Sequence, residues 1–462
     1  MTNNTKSICT VCGLLCPNSS PEDRLQVRSC PLAQSFLSSS TAKQSVHVDL
    51  ETIVHRIQQL LDNARRPVIW IDGADVATTR AAVALAWKHQ AAVHVPQSQG
   101  GRVVQQVVCS DGWLGTTLAD AAEHAHLVIT LGTSWLNQLP LLLERWIRRS
   151  PDNARDTAAA AHRQWWQIGS PPSETTQLSS SLESRIQSSK PEQWLRWPRC
   201  EWYPRFSEVV RGLNELSQRE SPSMAKPNAA PVATDDEVAR LVHAIGNSPN
   251  TSIVWEQSEL DRPEDEMLVY RLLNLARIRN RTARCSLLAL NADAGRETAR
   301  ETLLWLTGCD GMAIPHGDRW VDSQETVSEP SSRWLRRFDA ILMVRNTPSV
   351  TPLPDIGWQI ALVGHGIACH HADSSSAIPV ALAGVHAPAF LLRGDRGVFQ
   401  FAAGEQSQVV YSASQILQLA ASRTTAERCG HTMPPSPNNC SDPSDCSGPS
   451  RLDALGGKEP PA

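Results

Sequence analysis

The sequence has no long block of one charge, no run of about 18 apolar residues, and few ring side chains other than tryptophan: three Tyr and six Phe against fifteen Trp in 462 residues. Its 43 basic and 47 acidic side chains are interspersed and leave a net charge of -4, so no extended positive field exists to hold a polyanion. Nucleic acid and membrane are therefore not expected partners. The opening MTNNTKSICTVCGLLC lacks the basic start and apolar core of a secretory signal, which places the expected location in the cytoplasm. No Gly-x-Ser-x-Gly turn and no Gly-x-x-x-x-Gly-Lys-Ser/Thr loop occurs, so neither a serine-nucleophile elbow nor an ATP phosphate cradle has support.

What the chain does have is a repeated alternation of helical spacing with short, continuous apolar runs. Ile53, Val54, Ile57, Leu60 and Leu61 recur at three and four residues and predict a helix over 51–65. Pro67 to Ile71, Ala91 to Val95 and Leu127 to Leu131 predict strands, separated by helices over 77–89 and around 118–125. Strands that are apolar on both faces belong to parallel sheets covered by helices. The series resumes with helices over 235–245 and 264–279 and with strands at 252–255, 284–290, 338–344 and 360–363. The fold class is therefore α/β. The expected division is a cysteine-rich segment over 1–45, a first α/β domain over 46–216 with an irregular middle, a linker over 217–234, a second α/β domain over 235–422, and a disordered, Pro/Ser/Gly-rich tail over 423–462.

Twelve cysteines in a chain of this size point to thiols or a metal site rather than to a disulfide framework. Cys9-x2-Cys12-x3-Cys16-x13-Cys30 brings four soft ligands close in sequence, the set that a [4Fe–4S] cubane or a tetrahedral zinc requires. Spacing alone leaves iron–sulfur, zinc and a metal-free remnant open. Cys429, Cys440 and Cys446 fall in the tail and read as incidental, and Cys109, in an apolar run, reads as a buried core thiol.

The phrase Cys9-Thr10-Val11-Cys12-Gly13-Leu14-Leu15-Cys16, followed by Ser29-Cys30-Pro31-Leu32-Ala33, resembles the N-terminal cluster segment of the B-type chain of formylmethanofuran dehydrogenase, of the molybdopterin oxidoreductase superfamily. Thr117 to Ser134, Asn280-Arg281-Thr282 with Leu290-Asn291, Trp305 to Gly308, Phe338 to Val344 and Arg393-Gly394-Asp395 continue the likeness in order over roughly 8–405. The resemblance implies two Rossmann-like α/β domains, a [4Fe–4S] cluster on the four cysteines, and a molybdopterin guanine dinucleotide carrying Mo or W.

The sequence departs from that pattern where the pterin metal is held. The segment that carries a metal-ligating cysteine or selenocysteine in the redox-active family reads Gln97-Ser98-Gln99-Gly100-Gly101-Arg102, with no thiol, and Gly132 is followed by Ser134-Trp135-Leu136-Asn137 instead of an Asn-Pro phrase. The molybdopterin is accordingly disfavoured. The resemblance extends to the formyltransferase/hydrolase complex of tetrahydromethanopterin- and methanofuran-linked one-carbon metabolism, in which a B-type chain accompanies amidohydrolase-like A-type, C-type and formyltransferase D-type subunits. A structural B-type role, with catalysis in those partners, is the expected function. The alternatives are a catalytic chain of a formylmethanofuran dehydrogenase and a zinc-stabilised interaction module.

Three further features read more plainly. Cys369-His370-His371-Ala372-Asp373 has ligand types but adjacent histidines on extended backbone point apart. Gly100-Gly101-Arg102 reads as a turn before an anion cradle. Trp165, Trp166, Trp194, Trp197 and Trp202 mark the irregular middle as a contact surface.

Overall fold

Parallel pairing of apolar strands builds two sheets, seen here in a computed structural model that describes residues 8–17, 25, 27–39, 49–147, 163–169, 191–219, 236–322, 336–348, 357–365, 367, 376–404 and 411–423. Both sheets lie within Met1–Ser422, which forms one compact unit. The tail cysteines Cys429, Cys440 and Cys446, and the stretch Cys369 to Asp373, lie outside the described residues.

Along the chain the strands are β1 (Pro67–Gly73), β2 (Ala92–His94), β3 (Leu127–Leu131), β4 (Gln164–Ile168), β5 (Gln193–Leu195), β6 (Asn250–Glu256), β7 (Arg284–Leu290), β8 (Met312–His316), β9 (Arg319–Asp322), β10 (Ala340–Arg345), β11 (Ile360–Gly364), β12 (Ala377–Val380), β13 (Ala389–Leu392) and β14 (Phe399–Ala402). Seven of them form the larger sheet, in the order β12-β11-β10-β1-β2-β8-β9, and five the smaller, in the order β5-β4-β3-β6-β7; β13 and β14 make a separate antiparallel pair. The α/β class stands. The division at 217–234 does not follow the sheets, because β1 and β2 pair with strands from the last third of the chain, while β6 and β7 join β3 to β5. Parallel strands need no sequence proximity, and Pro67 finds Ala340 as its register partner.

Helix starts follow from side-chain caps. Asp49 accepts from the Thr52 N–H at 3.0 Å to open Leu50–Asn63, and Asp75, Ser98, Thr117 and Asp293 do the same for Val76–His89, Gln99–Asp111, Leu118–His124 and Ala294–Thr307. In the larger sheet Ile69 and Ile71 of β1 enter a core with the helices Leu50–Asn63, Val76–His89 and Ala413–Ser422, while Val68 and Trp70 face a second cluster with Met343 and Val363. The alternation explains why the whole strand is apolar.

The smaller sheet is built on tryptophan. Trp166, Trp197, Trp202 and Trp255 are buried in one core beneath the helices Trp202–Arg219, Asp236–Asn247 and Asp265–Arg279, and Trp165 is buried on the opposite face. The expected contact surface is thus largely interior. Two of the indoles find partners there: that of Trp202 donates to the Trp197 carbonyl at 3.0 Å and that of Trp165 to Thr130 Oγ1 at 2.9 Å, while the buried Trp255 N–H meets none among the described residues. Cys109 corrects the other way, being exposed, since Val103, Val104 and Val107 define the inner face of Gln99–Asp111 and Cys109 lies off it.

His94, at the end of β2, rests against the Trp70 ring with centroids 4.5 Å apart. Burial, with the nearby Arg102 charge, pushes its pKa down to about 3. An unfolded chain takes up this proton below about pH 6.5 and the native chain does not, so stability is present above 6.5 and is lost as pH falls through it. Urea titrations at pH 6.5 and 5 are expected to differ by about 2 kcal/mol from this group, a difference that His94→Gln removes. An unchanged acid sensitivity in that variant would assign the loss to other groups.

Candidate functional site: two sheet switch points and a thiol corner

In open α/β sheets a crevice forms where the strand order reverses, beyond the carboxyl ends of the two central strands. The smaller sheet reverses between β3 and β6, whose ends are Leu131-Gly132 and Trp255-Glu256. Gly132 has φ +72°, and the Glu259 carboxylate occupies the position that a side chain at 132 would take. The Ser134 N–H donates to Glu259, and Ser134 Oγ donates to Glu256 Oε2 at 3.3 Å. Ser258 reaches the same Glu256 oxygen from its N–H at 2.9 Å and from its hydroxyl. Burial holds the Glu256 carboxyl above its usual range, with Glu259 adding to the shift and the serine hydrogen bonds opposing it. The N–H and hydroxyl groups facing this crevice thus meet two carboxylates of the chain itself.

The larger sheet reverses between β1 and β10, and the strand ends there carry an ion cluster. Asp72, at the end of β1, meets Arg345 at 2.5 Å and Arg296 at 2.7 Å; Asp72 and Arg345 are fully buried. Burial raises the Asp72 carboxyl and the two guanidiniums pull it back. Arg296 is held above the ordinary guanidinium range: burial opposes its charge, and Asp72 with Asp293 outweighs that opposition. Asn346 donates to Asp75 at 3.0 Å and to Thr78 at 2.9 Å, and the Thr347 side chain fills the space over Gly73 and Gly295.

The segment Gln97 to Arg102 packs against the turn that follows Glu256. Gly100 is not in a free turn: it sits in the first turn of the helix Gln99–Asp111, pressed on the Gln257 carbonyl so closely that a Cβ would overlap it. The Ser98 hydroxyl caps the Gly101 N–H at 3.0 Å.

The four N-terminal cysteines do come together. Cys9, Cys12, Cys16 and Cys30 line one small cavity on the outer face of the smaller sheet, closed by Leu14, Leu32 and Leu141. Burial pushes the Cys9 thiol up to about 11, with Cys30 also raising it and a backbone contact at Val11 and the Arg145 charge opposing. Cys12 is raised well above its usual range by burial and then by Cys16 and Cys9. The donor chemistry suits a soft metal. The pocket that the four thiols line is apolar and admits little water. Among the described residues, no three His, Cys, Asp or Glu side chains stand in position to hold an ion.

Residues quoted for the family resemblance converge beside this corner. Gly13 donates from its N–H to the Ala292 carbonyl at 2.7 Å and accepts from the Gly394 N–H at 2.7 Å, while the Asn291 N–H donates to the Gly394 carbonyl at 2.9 Å. A side chain at 13 or at 394 would strike the Asn291 carbonyl, which explains both glycines. Arg393 forks onto Asp395 at 2.8 and 2.6 Å, and Asp395 accepts from the Leu118 N–H at 2.7 Å.

One solved structure resembles this arrangement across most of its length. It is a chain in the crystal structure of the formyltransferase/hydrolase complex from Methylorubrum extorquens in complex with methylofuran, with a TM-score of 0.62 and 19% identity over 82% of this chain and 96% of that one. The two chains share a fold. No family model matches the sequence, and no curated protein sequence is similar to it. A pterin dinucleotide, which the resemblance to molybdopterin oxidoreductases implies, would bring phosphates against Glu256 and Glu259 and into the space of Thr347. The residues present do not fit it.

Proposed function

We propose that this chain is the B-type, structural subunit of a formyltransferase/hydrolase complex. In that complex a formyl group passes from formyl-tetrahydromethanopterin to a methanofuran-like carrier and leaves as formate. The observation that carries the reading is that the strand ends at both reversals, where the fold could seat a dinucleotide, present the chain's own ion-paired or hydrogen-bonded side chains. A catalytic chain of a formylmethanofuran dehydrogenase would need that space for a pterin. Catalysis then belongs to amidohydrolase-like A-type and formyltransferase D-type partners, with a C-type chain completing the assembly. The family's iron–sulfur ligands survive as a packed thiol corner that fastens the N-terminal segment to the smaller sheet.

The test is anaerobic purification of the full chain with its natural partners, followed by measurement of Fe, Zn, Mo, W and pterin per chain. The expected result is co-elution with amidohydrolase-like and formyltransferase-like chains and no pterin, Mo or W. Stoichiometric pterin with Mo or W would overturn the structural reading and restore a redox role.

A further inference from the structure

A cavity of about 670 Å³ opens at the amino ends of β3, β4 and β5, on the side of the smaller sheet opposite its switch point. That volume lies within the range of small-molecule sites. The helix Asp236–Asn247 walls it with Arg240, His243 and Asn247, residues on one face at spacings of three and four, and Ala239 and Ala244 on the same wall leave it room. Trp166, Leu127 and Pro249 supply an apolar floor.

The polar part of the lining has one sign. It contains Arg240, two imidazoles, the amides of Gln164, Gln193 and Asn247 and the Ser248 hydroxyl, and no carboxylate. Arg240 donates to Gln193 Oε1 at 3.1 Å, and its ion pairs to Asp236 and Glu237 are long, at 3.6 and 3.9 Å, with Asp236 largely in solvent. Exposed pairs of that kind hold a guanidinium weakly. The Asn247 amide lies against the His243 ring, 3.1 Å from Nδ1 and 3.0 Å from Nε2. His126 Nδ1 is shut away from solvent and meets no hydrogen-bond partner among the described residues.

We infer that this cavity is a binding site for a small aromatic carboxylate, its ring on the apolar floor and its carboxylate toward Arg240 and His243. No carboxylate lines the cavity to hold a cation, and an anion there gains the Arg240 charge, which its long, exposed ion pairs engage only weakly. The site is independent of the assignment as a structural subunit, since it lies away from both switch points and from the cysteines.

The experiment is titration calorimetry of the full chain with 2-naphthoate and with the neutral 2-naphthylmethanol. Saturable naphthoate binding below about 1 mM is expected, weaker by roughly tenfold for the alcohol and for Arg240→Gln. Ala239→Trp, at an exposed helix position on the cavity wall, obstructs the approach to Arg240 and His243 without entering the core and is expected to weaken binding at least tenfold. Absence of saturable binding at several millimolar, or naphthoate affinity unchanged in Ala239→Trp, overturns the site. Equal affinity for acid and alcohol overturns the carboxylate assignment.

Discussion

Asp72→Asn is expected to lower stability by about 3–5 kcal/mol, because it removes the carboxylate between two guanidiniums, one of them wholly buried. Asparagine keeps the shape and can still accept a hydrogen bond, so the loss reports charge and not packing. The Arg345 guanidinium is fully buried, where the loss of a facing carboxylate charge is costly. The double variant Asp72→Asn with Arg345→Met is expected to recover a good part of the loss, since an apolar pair replaces an ion pair with little net change. Urea denaturation read by tryptophan fluorescence measures both. A single variant within 1 kcal/mol of the parent would show that the cluster does not stabilise the larger sheet's switch point.

The second large effect is expected at Gly100→Ala, at about 3 kcal/mol, because the added methyl must displace the Gln257 backbone. Gln257 follows directly on Glu256, so the same shift would loosen the carboxylates over Gly132. Gly308, which ends the helix Ala294–Thr307, has φ +74° in the left-handed region and open space around it, so alanine there is expected to cost only about 1 kcal/mol from backbone strain. The comparison separates crowding from glycine's general conformational freedom. Equal losses at the two positions would contradict the close approach at 100.

Strands β1, β3 and β7 are legible in the sequence because a strand buried on both faces has little choice of residue. Their grouping into sheets is not, since pairing of β1 with β10 leaves no local trace. The helix Trp202–Arg219 is hidden among Trp, Arg and Pro, although Phe206, Val209, Val210 and Leu213 carry the spacing of a buried face, and Pro204 in the first turn is no obstacle to a helix. Gly100-Gly101 looks like a turn because glycine is rare inside helices; the Ser98 cap and the valines that follow are the better signal. The cysteine spacing announces that four thiols meet, and it does not reveal the leucines that close over them. Nothing in the sequence singles out Glu256 and Glu259, whose meaning depends on Gly132 and Ser134, more than a hundred residues earlier.

The interleaving of the two sheets also sets an order for the chain's emergence during synthesis. Strands β1 and β2 are made early, yet β10, which flanks β1, ends at Arg345. At ribosomal speeds of about 5–20 residues per second, β1 waits roughly 10–60 s with one apolar edge uncovered, while the smaller sheet has all five of its strands by Leu290. The smaller sheet can therefore fold first, inserted between the halves of an unfinished larger one. Chaperone dependence should accordingly concentrate on ribosome-bound chains that end between Leu290 and Arg345.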